Sequence, residues 1–251
     1  MKKKIVFIAI LTLTTISLFA QEKELYIKYK YSIEYSECLL FSEMPEMING
    51  KIELFSYGNK MISRKYDGVS NTLDEDGNLI ASDSVYYYTV IDYPKGYLLI
   101  SEDVSVSTAQ FLLKEPLNLF KWKPCMDTKT ILGYTCHKAT CNFRGREYVA
   151  WFTREIPFKA APWKFHGLPG VLLEVYSTDG YCSWVAESLE IRPFKKEIEL
   201  PFYGWDIVDL KKYIKVLKAK KQSCIEWYKR NGESEEFISN SVRTIEKFDL
   251  D

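Results

Sequence analysis

Residues 25 to 35 alternate between apolar or aromatic and polar side chains, and this pattern constrains the fold more than any other. The first set is Leu25, Ile27, Tyr29, Tyr31, Ile33 and Tyr35, and the set between them is Tyr26, Lys28, Lys30, Ser32 and Glu34. Because successive side chains of a strand point to opposite faces, a period of two predicts a half-buried antiparallel strand. An amphipathic helix would require a period near 3.6.

Several hairpins are predicted after this strand. Turn residues separate paired apolar segments at 51–57 with 61–66, 85–93 with 97–104, 136–143 with 147–153, and 171–176 with 181–191. In the third hairpin Gly145 suits a backbone with positive φ. Leu168, Pro169, Gly170 and Val171 fit a type II turn, since proline stands second and glycine third. Residues 21–192 are therefore predicted to be mainly antiparallel strands.

The hydrophobic period changes near the C-terminus. Apolar residues recur at helical spacing after the candidate cap Asp206, and a second such stripe follows Ser234. Residues 206–248 are therefore predicted to be helices. Strands followed by helices favour an α+β fold, with the C-terminal helices packed on one face of an antiparallel sheet. No repeat or low-complexity linker divides the chain, so residues 21–251 are expected to form a single domain.

The first twenty residues resemble a secretory signal peptide. Lys2, Lys3 and Lys4 precede an apolar segment that ends at Ala20, and polar sequence begins at Gln21. This segment is shorter than the roughly 20 apolar residues that span a bilayer. We expect cleavage and export to the periplasm or outer envelope, with no transmembrane segment left in the mature chain.

Charge and motifs exclude several function classes. The 34 basic and 34 acidic residues balance, and loss of the three N-terminal lysines leaves a charge of −3. A faintly acidic chain has no overall field to attract nucleic acid, so no nucleic-acid partner is expected. The sequence contains no nucleophile elbow, phosphate-binding glycine loop or dinucleotide fingerprint. No cofactor is predicted, and an enzyme is disfavoured.

Six cysteines lie after residue 20: Cys38, Cys125, Cys136, Cys141, Cys182 and Cys224. An even number in an exported chain favours disulfides, because the periplasm is oxidising. Six cysteines allow fifteen connectivities, which the sequence does not distinguish. Cys136 and Cys141 are not expected to pair, because one strand would hold them about 16 Å apart.

The block from Ile131 to Val175 contains an ordered series of short motifs. These are Leu132-Gly133-Tyr134-x-Cys136-x-Lys138-Ala139, Phe143-Arg144-Gly145-Arg146-x-Tyr148-x-Ala150-Trp151, Glu155-Ile156-Pro157 and Trp163-Lys164-Phe165-x-Gly167-Leu168-Pro169-Gly170. With these motifs the chain resembles the GLPGLI family of exported Gram-negative proteins. Val171 and Leu172 replace the final Leu and Ile of the family hexapeptide, and Ala161 replaces a glycine. The resemblance implies a half barrel similar to periplasmic lipid and lipoprotein carriers, and it implies no established reaction.

Aromatic, apolar and basic residues crowd the end of this block. They form the predicted ligand-binding set Arg144, Arg146, Trp151, Trp163, Lys164, Phe165, Leu168 and Pro169. Apolar walls with a few polar groups are typical of ligand sites. The alternative is that these residues pack the core and cover a sheet edge.

The remaining candidates for chemistry are weaker. Glu155 and Glu174 flank the Leu168–Gly170 turn and could act as general acid and base. His137 and His166 lack the spacing of a recognised zinc site, so no metal site is predicted. Carboxylates at strand ends are usually solvated, so a hydrolase is the least favoured hypothesis.

Three function hypotheses follow from these observations. The leading one is a non-catalytic protein that binds an apolar or amphipathic ligand, such as a lipid, on the concave face of the sheet. The alternative is an accessory protein that docks to an outer-membrane or export machine, an envelope partner, through the GLPG loop. The third is a hydrolase that uses Glu155 and Glu174. An open apolar cavity would favour the first, and a filled core would favour the docking alternative.

Overall fold

The computed structural model describes residues 22–34, 47–67, 85–102 and 111–232. These contain twelve strands and one helix: β1 (Lys23–Glu34), β2 (Met47–Tyr57), β3 (Lys60–Asp67), β4 (Val85–Asp92), β5 (Tyr97–Glu102), β6 (Phe111–Pro116), β7 (Lys123–Ile131), β8 (Tyr134–Phe143), β9 (Arg146–Thr153), β10 (Val171–Ser177), β11 (Cys182–Pro193), β12 (Asp206–Val208) and α1 (Leu210–Arg230). The first twenty residues and the second C-terminal helix, predicted after Ser234, lie outside this part.

All twelve strands form one open sheet in the order β12-β6-β5-β4-β3-β2-β1-β11-β10-β9-β8-β7. Every ladder is antiparallel except that between β12 and β6. The alternating segment is β1 at the centre of the sheet, where β2 and β11 pair with it. The protein is therefore mostly β, and the prediction of an α+β fold is correct only for the antiparallel sheet and the presence of a C-terminal helix.

One face of the sheet is the inner face. Leu25, Ile27, Tyr29 and Tyr31 of β1 lie on it and are almost completely buried. Glu115 of β6 contacts Arg144, which follows β8, although many strands separate these two in the sheet order. This contact brings together parts of the open sheet that lie far apart in the strand order.

Two loops fill the inner face. They are residues 154–170, hereafter the 154–170 loop, and residues 117–122. Phe165 is completely buried, and its ring centroid lies 5.2 Å from those of Phe120 and Trp184. Trp163 stacks on Trp184 at 5.7 Å. The inner face is therefore a packed aromatic core, because the chain supplies its own apolar side chains there.

The opposite, outer face is covered by the segment that follows β11. Phe194, Ile198, Leu200 and Phe202 of this segment pack on a cluster of Phe55, Tyr57, Ile62 and Val90. The segment then enters β12, which adds a parallel strand beside β6. Strands β2 to β4 therefore bury side chains on both faces of the sheet. This explains why some of their apolar residues are neighbours in sequence instead of alternating with polar ones.

The helix begins later than its apolar period indicates. Ile207 lies in β12 and is exposed, and Asp209 caps the helix in place of Asp206. The Lys212 amide donates to the Asp209 carboxylate at 2.8 Å. Parallel pairing with β6 draws residues 206–208 into the sheet, a long-range effect that local periodicity does not reveal. Within the described residues no helix is long and apolar enough to cross a bilayer.

The disulfide prediction is wrong for the cysteines that the structure describes. Cys125, Cys136, Cys141 and Cys182 are free thiols, and the side chains of Cys38 and Cys224 lie outside the described part. Cys136, Cys141 and Cys182 are buried. They act as small apolar core residues rather than as staples.

Thiol labelling of the native protein should separate these cysteines. Burial raises the pKa of Cys136 to about 11, of Cys141 to about 12 and of Cys182 to about 11. Since the thiolate is the reactive form, we expect Cys125 to react first and the three buried thiols only after unfolding. Mass spectrometry after timed alkylation at pH 7 would count the labels. Rapid labelling of any of the three in folded protein would contradict the burial.

Candidate functional site

The 154–170 loop is anchored to the inner face by hydrogen bonds to its backbone. Ser56 Oγ of β2 donates to the Lys159 carbonyl at 2.9 Å, and the Leu172 amide donates to the Ala160 carbonyl at 2.9 Å. Gly170 ends the loop at φ 98°, as the predicted type II turn requires. The sequence therefore sets the turn, and contacts from distant strands fix the path of the loop.

A buried ionic cluster holds the middle of the loop. The Lys164 ammonium is fully buried and donates to Glu115 Oε2 at 2.8 Å, while Arg144 donates to the other carboxylate oxygen. Burial opposes ionisation of Glu115, but Lys164 and Arg144 together hold its pKa below the usual 4.5. The loop is thereby tied to β6 on one side and to the β8–β9 turn on the other.

The loop and two turns of the sheet enclose a groove, hereafter the Tyr93 groove. It consists of two adjoining hollows of about 330 and 420 Å³ that share Tyr93, Lys159, Pro169 and Gly170. The first also contains Leu117, Ala160, Ala161, His166, Gly167, Leu168 and Leu172, and the second Ser56, Gly58, Asn59, Lys60, Arg154, Ile156, Pro157 and Phe158. The lining of the groove therefore combines aromatic side chains, prolines, backbone atoms and basic side chains.

His166 lines this groove and carries a buried hydrogen-bonding atom without a described partner. The side chain is 4% exposed, and Nδ1 lies 2.8 Å from the Lys164 carbonyl oxygen. Nε2 is buried and has no hydrogen-bond partner among the described residues. Burial lowers the pKa of His166 below its usual 6.5, so the ring is neutral at pH 7. Because a carbonyl only accepts, Nδ1 carries the proton and Nε2 is a bare acceptor.

Tyr93 lines both hollows. Its amide donates to the Asn59 carbonyl at 3.1 Å, which joins the β4–β5 turn to the β2–β3 turn. Burial raises the pKa of its phenol to about 12, so the hydroxyl stays protonated. The Lys159 ammonium lies 5.1 Å from the centre of its ring. The groove can therefore offer a ring face, a hydroxyl, an acceptor and cations to a polar ligand.

The structure does not bring the eight predicted ligand-binding residues to one surface. Phe165 and Lys164 are buried in the core, Arg144 pairs with Glu115, and Arg146 is buried beside Asp179. Trp163 is half-buried against Trp184. Of the eight, only Leu168 and Pro169 line the Tyr93 groove. Ligand binding by the set as a whole stays a prediction.

Trp151 lies apart from these residues on the outer face. Strand register places it between Lys138 of β8 and Glu174 of β10. The Lys129 ammonium lies 4.4 Å from the centre of its ring and forms an ion pair with Glu174 at 2.7 Å. A basic and acidic pair thus covers the indole.

Sequence reasoning missed Tyr93, Lys159 and His166 as groove residues. His166 was considered only as a metal ligand, and Tyr93 only as the end of a strand. Their proximity depends on the way the loop crosses two turns that are distant in sequence. Within the described part of the chain, no group of three or more His, Cys, Asp or Glu could hold a metal ion.

The hydrolase hypothesis based on Glu155 and Glu174 is wrong. Glu155 accepts the Thr135 amide at 3.0 Å, and Glu174 is engaged by Lys129 at 2.7 Å. Neither carboxylate lines the Tyr93 groove. Two groups held by separate partners do not form an acid–base pair around one substrate.

The carrier and docking hypotheses are also wrong. The inner face, expected to be an open apolar site, is filled by Phe165, Phe120 and their neighbours. Leu168 is buried, and the Gly170 backbone lies against the Thr153 carbonyl, so these two residues of the GLPG turn pack against the protein itself. The comparisons with known proteins, given next, also do not support a carrier or a docking protein.

A family model described as "N-glycanase peptide, N-terminal domain" matches residues 88–199. This stretch is less than half of the chain and includes the whole block that we compared with the GLPGLI family. The GLPGLI assignment is therefore corrected. Its short motifs mark turns and core positions, which unrelated sheets can share. No curated protein sequence matches the chain.

Two solved structures of PNGF-II have a similar fold. The first, in space group C2, shows a TM-score of 0.52 and 16% identity over 79% of this chain and 33% of PNGF-II. The second, in space group P21, shows a TM-score of 0.52 and 16% identity over 80% of this chain and 34% of PNGF-II. At this identity the likeness concerns the fold. The chain thus spans about a third of PNGF-II and, over residues 88–199, matches the N-terminal domain family of N-glycanases.

Proposed function

We propose that this chain is a recognition domain for N-glycosylated peptides and that the Tyr93 groove binds them. The match to an N-glycanase N-terminal domain supports this class of ligand. The likeness spans only a third of PNGF-II, so the proposal assigns binding, and not cleavage, to this chain. The curved half-barrel form of the sheet belongs to the proposal as the rigid support of the groove.

The observation that carries the proposal is the mixed lining of the Tyr93 groove, in which Tyr93 and His166 lie beside prolines and basic groups. The buried Nε2 of His166 has no described partner, and a ligand donor that reached it would satisfy it. Sugar hydroxyls and peptide or acetamido N–H groups are such donors. An aliphatic lipid chain has none, which is a second reason to abandon the apolar ligand.

Tyr93 adds a second interaction that suits the same ligand. A ring face beside polar groups can pack on the C–H face of a sugar while its hydroxyl exchanges hydrogen bonds. Pro157 and Pro169 also line the groove, and their side chains have no hydrogen-bond donor or acceptor. Polar contacts with a ligand would therefore come from His166, Tyr93 and the basic residues. This mixture fits an amphipathic glycopeptide better than a purely apolar one.

Calorimetric titration with a glycopeptide that carries an Asn-linked chitobiose core tests the proposal. We expect wild-type protein to bind this ligand more tightly than the same peptide without sugar. Tyr93→Ala should weaken binding about tenfold, or about 1.4 kcal/mol, through loss of one ring contact. Tyr203→Ala removes a fully exposed tyrosine outside the groove and serves as the matched control.

His166→Phe provides the second variant. Phenylalanine keeps the ring packing on Phe120, where the centroids are 5.1 Å apart, but has no acceptor at the Nε2 position. Binding should weaken while the near-ultraviolet circular dichroism stays that of a folded protein. Equal binding by wild type, Tyr93→Ala and His166→Phe would remove the groove as the site.

Export to the periplasm or outer envelope remains a prediction from residues 1–20, and we include it in the proposal. N-terminal sequencing of protein recovered from the periplasm would check it, since a chain that begins at Gln21 is expected. A chain that keeps Met1 would contradict it.

A further inference from the structure

The Tyr93 groove carries positive charge without a matching negative charge in its lining. Lys60, Lys159 and Arg154 line it, and none of its described lining residues is acidic. His166 is neutral for the reason given above. The described lining of the groove therefore carries a net positive charge.

Two of the three cations are available to a ligand. Lys60 forms an ion pair with Glu197 at 2.7 Å. Lys159 and Arg154 are exposed, and neither forms an ion pair with any residue that the structure describes. Lys159 lies over the Tyr93 ring at 5.1 Å, and the Arg154 guanidinium lies 5.9 Å from the Phe152 ring centre. The rings hold these cations beside the groove without neutralising them.

A ligand that adds a carboxylate at this position would form charge-assisted hydrogen bonds. An arginine guanidinium can bind both oxygens of a carboxylate, and a lysine supplies a compact charge beside it. We propose that the Tyr93 groove prefers glycopeptides that carry a carboxylate, such as those with a terminal sialic acid. This inference rests on the proposed function, because it concerns the same groove and the same class of ligand.

Four synthetic glycopeptides with one backbone test the preference. They carry a neutral glycan, a sialylated glycan, a neutral glycan beside an added aspartate, and no glycan. At low salt we expect the sialylated form to bind about fivefold tighter than the neutral form. Because exposed charges are screened, the difference should shrink at about 0.5 M salt.

Charge-neutralising variants locate the effect. The double variant Lys159→Gln/Arg154→Gln should bind the neutral and the sialylated glycopeptides with equal affinity, so the ratio of the two affinities, and not the affinity for the neutral form, is the measured quantity. Lys211→Gln/Lys215→Gln removes the same charge from exposed positions on α1 and should keep the preference. Preference kept by the first variant and lost by the second would place the carboxylate elsewhere and overturn the inference.

The outcomes separate this inference from the proposed function. Equal binding of neutral and sialylated forms overturns the preference and leaves glycopeptide recognition standing. Binding of neither form overturns both. An equal gain from the added aspartate supports carboxylate recognition with the peptide as its source, whereas a gain from sialic acid alone assigns the carboxylate to the glycan.

Discussion

Replacing Gly170 by alanine is expected to lower the free energy of unfolding by about 3–5 kcal/mol. A Cβ atom at this position would lie 2.0 Å from the Thr153 carbonyl oxygen and 3.0 Å from its carbon. Both are backbone atoms of β9, so no side chain can move aside. The residue also has φ 98°, a backbone angle that residues other than glycine rarely adopt. Urea denaturation followed by tryptophan fluorescence would measure the loss.

Gly180→Ala is the matched control for this variant. Gly180 has φ 75°, but an added Cβ would meet no atom within 4 Å. Only the backbone conformation is then penalised, and a loss of about 1–2 kcal/mol is expected. Equal losses in the two variants would show that conformation, and not the close approach to Thr153, makes glycine necessary at the GLPG turn.

Lys164→Met is expected to lower the free energy of unfolding by about 3–5 kcal/mol, because it leaves Glu115 buried with one cation fewer. Lys129→Met is the matched control. Lys129 pairs with Glu174 at 2.7 Å, close to the 2.8 Å between Lys164 and Glu115, but its pair is partly exposed. Breaking it should cost less than about 1 kcal/mol. Similar losses in both variants would contradict the role assigned to burial.

The pH dependence of stability provides a second measurement on the same cluster. The pKa of Glu115 is lower in the folded protein than its usual 4.5. As the pH falls, this carboxylate is therefore protonated in the unfolded chain before it is protonated in the folded protein. The carboxylate therefore contributes stability above pH 4.5, and this contribution is lost as the pH falls through the lower folded pKa. Lys164→Met should show a shallower acid-induced loss than wild type. An unchanged acid slope would mean that other carboxylates dominate it.

Local features of the chain were predicted well because they depend on neighbours in sequence. The alternation in residues 25–35 identified β1, and the glycine at position 145 identified the β8–β9 hairpin. In the structure Arg144 and Gly145 both have positive φ, at 46° and 74°, as a two-residue turn between antiparallel strands requires. The four predicted hairpins are all present, with ends that differ by a few residues.

The candidate site was predicted poorly because its residues meet only through long-range packing. Aromatic residues near the GLPG turn suggested an exposed ligand wall, yet Phe165 is completely buried. A hydrophobic side chain has the same sequence pattern whether it lines a site or fills a core. The resemblance to the GLPGLI family misled for a related reason, since turn and core motifs recur in different families.

The order of apolar and polar residues, together with glycine and proline at turns, was sufficient to establish an antiparallel sheet, its hairpins and a C-terminal helix. These follow from side-chain alternation and backbone sterics, which act over a few residues. The parallel strand β12, the free state of the described thiols and the Tyr93 groove required the folded chain. They depend on how the 154–170 loop and the segment after β11 bury apolar surface on the two faces of the sheet, and that burial joins residues far apart in sequence.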